Sequence, residues 1–143
     1  MAIYSLALRT SNVTIAQSAM SIISAASNKP KIMEVGLSQN TGTACTWGLG
    51  RPAAAGVTPT TPVTFLDEQD GGGPAALTTA CLAWTSQPTA PTQFLWRVST
   101  PATIGAGIIW TFPRGLTMPI SQNIVIWNIT ASVAADVWAV IDE

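Results

Sequence analysis

Asp67, Glu68 and Asp70 form the one acidic cluster of the sequence, in the run Asp67-Glu-Gln-Asp-Gly-Gly-Gly-Pro74. Clustered carboxylates are the hard oxygen donors that Ca²⁺ collects, about six to eight at a time. The run has neither the Asp-x-Asp-x-Asp-Gly order nor the glutamate at the twelfth position of an EF-hand loop. It reads as a solvated turn beside a glycine tract. Pairing Glu34 with an acid of this loop would give the two-carboxylate set of a glycosidase, and nothing in the spacing supports that pair. Gly48-Leu-Gly50-Arg51 has the glycines of a phosphate-binding turn but lacks the Gly-Lys-Ser/Thr that a P-loop needs, so it reads as a strand running into a turn. The chain has no histidine. Histidine-based triads, histidine-ligated metals and histidine proton shuttles are therefore excluded. A serine activated by lysine would have to use Lys29 or Lys31, which lie in Asn-Lys-Pro-Lys, a turn entering a strand. No catalytic, cofactor-binding or metal-ligating residue is assigned, and the chain reads as a non-enzyme.

Three other residue sets need a reading. Cys45 and Cys81 match no zinc or redox spacing and read as reduced, buried small hydrophobes, with a single disulfide as the alternative. Asn12-Val-Thr14 and Asn128-Ile-Thr130 match the N-glycosylation triplet, which arises by chance in a threonine-rich chain. Six tryptophans, at 47, 84, 96, 110, 127 and 138, all lie in or beside apolar strand candidates. A large ring in such a strand is usually core. The functional alternatives are a carbohydrate platform or an anchor between subunits.

Composition narrows the class further. Of 143 residues only 13 are charged, 48% are hydrophobic, and Ser and Thr supply 30 more. The net charge of −1 argues against a partner whose phosphates must be neutralised, so no nucleic acid is expected. A folded monomer of this size exposes roughly 7,000 Å², and 13 charges cover it thinly. Either hydroxyls and amides solvate the surface, or other protein covers part of it. The positive mean hydropathy and the tryptophans favour the second, a stable oligomer or a place in a larger assembly. No stretch reaches the ~20 apolar residues of a spanning helix, so no membrane is expected. The N-terminal run has no basic segment before its apolar residues, which predicts synthesis and folding in a cytoplasm.

Ten prolines and eleven glycines punctuate the chain. Both break regular elements, which excludes long helices between Pro30 and Pro119 and predicts short strands with frequent turns. The expected strands are Ala2–Arg9 (continued by Asn12–Ala16), Lys31–Ser38, Thr43–Leu49, Pro62–Leu66, Ala76–Trp84, Phe94–Thr100, Gly107–Phe112, Asn123–Asn128 and Asp136–Ile141. Ile32 is expected opposite Met33, Val35 and Leu37, and Cys45 beside Trp47 on one face. Phe94, Trp96 and Val98 are expected to share a face. Gly107–Phe112 reads as a strand buried on both faces. Thr14–Ser27 suits a helical face or a strand through Ala19–Ala25, and the β character of the rest favours strand. Gly50–Thr61, Asp67–Pro74 and Thr85–Thr92 are expected as loops. The fold class is all-β: one antiparallel sandwich domain over residues 1–143, with about nine short strands.

The opening Met1-Ala-Ile-Tyr-Ser-Leu6, the run Gly48-Leu-Gly-Arg-Pro-Ala-Ala-Ala-Gly-Val-Thr-Pro-Thr60 and the run Ile108-Ile-Trp-Thr-Phe-Pro-Arg-Gly-Leu116 resemble head decoration, or cement, proteins of tailed bacteriophages. The likeness runs over most of the chain and rests on length, composition and strand order rather than on a diagnostic motif. It implies a jelly-roll-like fold without catalytic residues. It also implies a homotrimer on the outer capsid surface at local three-fold positions, bound to the major capsid protein and stabilising the head. A trimeric receptor- or glycan-binding module of a tail or fibre is the alternative.

Overall fold

The computed structural model describes residues 2–11 and 13–143. They form thirteen strands and no α-helix. The strands are β1 (Ile3–Arg9), β2 (Gln17–Ile23), β3 (Lys31–Gln39), β4 (Cys45–Gly50), then five short ones, β5 (Val57–Thr60), β6 (Val63–Thr64), β7 (Leu66–Asp67), β8 (Thr79–Cys81) and β9 (Ala83–Ser86), and finally β10 (Phe94–Thr100), β11 (Gly107–Thr117), β12 (Asn123–Asn128) and β13 (Ala135–Asp142). All pairings between them are antiparallel.

Two sheets make the sandwich, in the orders β11-β3-β13-β1-β7 and β10-β4-β12-β2-β8-β6, while β5 and β9 form a separate ribbon. Counting the eight long strands alone, the first sheet reads sixth-third-eighth-first and the second fifth-fourth-seventh-second. That order is a jelly roll, the double Greek key that winds the chain between two layers. The all-β sandwich expected from proline and glycine punctuation is therefore the fold. The strand count exceeds nine because of the short strands: β7 lengthens one sheet, β8 and β6 the other, and β5 and β9 make the ribbon.

The core follows the period-2 alternation of a half-buried strand. In β13, Ala135, Val137, Ala139 and Ile141 are buried and alternate with half-exposed neighbours. Cys45 and Trp47 of β4 turn inward together, as expected, and Tyr4 and Leu6 of β1 are buried as well. β12 lies between β4 and β2, and all six of its residues are buried. Fully burying each of these aliphatic side chains is worth about 1.5–3 kcal/mol, so such strands carry the stability.

Several expectations need correction. Ile32 is not opposite Val35 and Leu37: all three are buried in the core. The cause is a bulge, since Val140 pairs with Glu34 and Ile141 with Ile32, leaving Met33 as an extra residue that flips the facing pattern. A second bulge between Phe94 and Trp96 separates those two rings. Phe94 lies against Gly48 and Gly50, where a side-chain carbon would strike its ring, while Trp96 turns toward β11. Thr14–Ser27 holds strand β2, the β alternative. Ala76–Trp84 is broken into β8 and β9, and β9 runs on into the expected Thr85–Thr92 loop. The expected Gly50–Thr61 loop contains β5, paired with β9. Of the Asn12–Ala16 extension, Asn12 is outside the described residues, Val13 makes an isolated bridge to Val133, and Ile15 and Ala16 turn. Gly107–Phe112 is not buried on both faces. It opens β11, the outermost strand of its sheet, and only Trp110 of these six residues is buried.

Candidate functional site

The sandwich has two open sides, and the chain crosses between the sheets at each. On one side β10 and β11 are the outer strands of the two sheets, joined by residues 101–106. Gln39 fixes that connection. Its backbone accepts from Gly105 N–H and donates to Ala106 O, both at 2.8 Å. Its side-chain amide donates to Pro101 O at 2.6 Å and Thr103 O at 3.0 Å, and Thr100 Oγ1 donates to its Oε1 at 2.7 Å. A buried amide with both N–H groups on one loop and its oxygen on the strand before it ties that loop down. Gln39 lies just beyond the expected Lys31–Ser38 strand; in the fold it ends β3 and is buried.

The β10–β11 side is apolar and exposed. Trp96 is 52% exposed, Ile109 53% and Ile104 70%. The rings of Trp96 and Phe112 meet edge to face, with centroids 6.4 Å apart and planes at 67°. Beside them runs a groove of about 390 Å³, floored by Val98, Ile108 and Trp110. A second, more apolar hollow of about 460 Å³ continues along Thr111–Leu116. There β11 departs from its register with β3 between Thr111 and Leu116. Pro113 has no N–H for a ladder, and Gly115 takes a φ of +69°, a conformation that suits glycine. This kink carries Phe112 to Trp96. Three arginines rim the surface. Arg97 lies over the Phe94 ring at 5.7 Å, Arg51 donates to Thr117 O at 3.2 Å, and Arg114 is exposed on the kink.

On the opposite side, β6 and β7 are the outer strands, with Phe65 buried between them. Leu66 is 71% exposed and Leu77 57%. Next to them is the acidic turn. Asp67 Oδ1 accepts from Gln69 N–H at 2.8 Å and Asp70 N–H at 3.1 Å, and Asp70 Oδ1 accepts from Gly72 N–H at 3.0 Å. Those contacts shape the turn, as the solvated-turn reading expects, and no group of three metal-binding side chains occurs among the described residues. The Glu143 carboxylate accepts from Leu77 N–H at 2.6 Å and Thr78 N–H at 3.1 Å. Burial, with Asp67 and Glu143 nearby, raises the Tyr4 hydroxyl above its ordinary pKa, so it stays a donor, to Pro74 O at 3.1 Å.

No family model, curated protein or solved structure matches this chain.

The remaining residues singled out from sequence are dispersed. Glu34 accepts from Trp138 Nε1 at 2.9 Å; it lies on β3, which β13 and β1 separate from β7, so it forms no pair with the acidic turn. Gly48 and Gly50 lie in β4, as the strand reading of that run expects. Lys29 and Lys31 are exposed at the entrance to β3. Asn128 is fully buried and its amide donates to Val13 O at 3.0 Å, which leaves no access for a glycan; Asn12 is outside the described residues. Cys45 and Cys81 are buried and free, and burial raises both thiols, Cys81 to about 11. Trp47, Trp110 and Trp127 are core, Trp84 and Trp138 are half-buried, and Trp96 is the ring that faces solvent. The sequence did carry a sign of the β10–β11 side. A proline inside an apolar strand run, as in Phe112-Pro-Arg-Gly, marks an edge rather than a centre.

Proposed function

We propose that this chain is a structural protein of a virion, a decoration protein that assembles as a homotrimer on the outer surface of a capsid and stabilises the head. The observation that supports it most is the pair of open sides, each carrying large apolar side chains into solvent, on a molecule of 6913 Å² with 13 charges. Monomers rarely leave such sides uncovered, and contiguous exposed apolar surface marks contact with other protein. The jelly roll also serves viral shells, though it serves lectins as well, and that support is one of fold analogy alone. A closed oligomer that touches several shell subunits at once raises the effective concentration of each weak contact.

The test is the copy number per purified particle, together with binding of the protein to empty shells. Stoichiometric copies, on the order of the number of shell subunits, are expected, with a rise in the temperature at which the head opens. A handful of copies located on the tail would overturn the reading. Trp96, half-exposed beside a groove, favours the second reading, a glycan-binding module. In that case a glycan array gives binding that Trp96→Ala abolishes, whereas a decoration protein gives no sugar dependence.

A further inference from the structure

The two open sides differ in charge. The β10–β11 side carries Arg51, Arg97 and Arg114, half of the six cations in the sequence. The β6–β7 side carries Asp67, Glu68 and Asp70, three of its seven acids. Arg9, by contrast, is already paired with Asp136 at 2.7 Å. The two sides are separated by the width of a five-stranded sheet. At ~4.8 Å per strand that is about 19 Å, more than twice the screening length of ~8 Å at physiological salt. The three arginines and three carboxylates therefore do not neutralise one another within a protomer. Each side also has its own apolar surface: Trp96 and Ile109 on the basic side, Leu66 and Leu77 on the acidic one.

We infer that the β10–β11 side of one protomer docks on the β6–β7 side of another copy of this chain, in a head-to-tail contact that sets arginines against carboxylates around an apolar centre. This assignment rests on the reading of the chain as a self-assembling structural protein and names the surface that does it. Matching charge patches fix the register of such a contact and suppress the wrong pairing, here basic side on basic side. A contact between two different patches is heterologous: it closes a ring where its rotation is a whole fraction of a turn and runs on as a filament where it is not. An interface of ordinary size takes ~800 Å² from each partner. The kink at Pro113–Gly115 favours side chains over strand pairing as the means of contact, because it interrupts the free ladder of β11.

The experiment is native mass by light scattering and sedimentation on four purified proteins: the wild type, Arg97→Glu/Arg114→Glu, Glu68→Lys/Asp70→Lys, and the chain with all four changes. Asp67 is left in place because its carboxylate holds two N–H groups of the turn, where that of Asp70 holds one, from Gly72. The altered side chains are exposed, and circular dichroism with thermal melting verifies that each variant is folded. The wild type is expected to form an oligomer that weakens as salt is raised. Each two-site variant is expected to dissociate at least tenfold more readily, and the four-site variant to recover association, because its charges are exchanged but still opposite. A wild type that stays monomeric overturns the proposal. So does an acidic-side variant that assembles as the wild type does, since the basic side would then be pairing with itself, or a four-site variant that fails to recover. None of these measurements uses a capsid, so loss of the virion reading and loss of this contact are separately visible.

Discussion

β12 and β11 look alike as sequence and lead opposite lives. Asn123–Asn128 carries Ile-Val-Ile-Trp at its centre, and Gly107–Phe112 carries Ile-Ile-Trp-Thr-Phe. The first is flanked by two strands and buried throughout. The second is flanked on one side only, and five of its six residues are exposed or half-exposed. An apolar run therefore reports that a strand is to be covered, without saying whether its own chain does the covering. In β12 the cover is intramolecular. In β11 part of the apolar surface faces solvent, and it is this part that the proposed contact between copies would cover.

The sharpest way to break this comparison is to truncate one isoleucine in each strand. Ile126→Ala removes a side chain that is 1% exposed and should cost about 2–5 kcal/mol in urea unfolding. Ile109→Ala, at a position 53% exposed, should stay within roughly 0.5 kcal/mol for the monomer while weakening self-association. Equal losses of monomer stability would refute the distinction. Gln39→Ala should come next, at about 1–3 kcal/mol, because it removes the buried amide that holds the Pro101 and Thr103 carbonyls and the Thr100 hydroxyl. Hydrogen exchange should then rise selectively in residues 101–106.

Thiol labelling sharpens the comparison in time. Cys81, raised by burial to about 11, holds almost no thiolate at neutral pH. Neither it nor Cys45 should react with iodoacetamide until the protein opens, and rapid native labelling at either site would contradict their burial. The smallest effect is expected at Arg9 and Asp136, an exposed pair joining β1 and β13. Its arginine holds the Asp136 carboxyl below the usual aspartate range. The stability it adds is therefore present above the ordinary aspartate pKa and lost as pH falls through the lowered one. Asp136→Asn should lower the melting temperature slightly at neutral pH and not at all in strong acid. A difference that grows on acidification would reverse the assigned sign.

Much of the frame was legible because alternation and punctuation are local. The inward faces of β1, β4 and β13 could be read directly, and frequent prolines and glycines excluded helices. What escaped depends on neighbours. The bulge at Met33 puts Ile32 into the core, and no periodicity within β3 announces it. β5 and β9 are rich in Thr, Pro, Ala and Ser, so their pairing has no hydrophobic pattern to betray it. The acidic turn was visible as a cluster, but its opposite number was not. Arg51, Arg97 and Arg114 are distant in sequence and meet only because the winding of the chain brings β4, β10 and β11 to one side.

The kink in β11 also bears on what happens when many copies accumulate. An eleven-residue strand that is apolar and open along its whole length would invite indefinite stacking of like chains into fibres. Pro113 and Gly115 cut the regular part to Gly107–Thr111, and Arg114 places a charge at the break. Growth along that border is arrested after a few residues. An uncovered apolar border interrupted in this way offers side chains for a contact but little continuous backbone for a growing sheet.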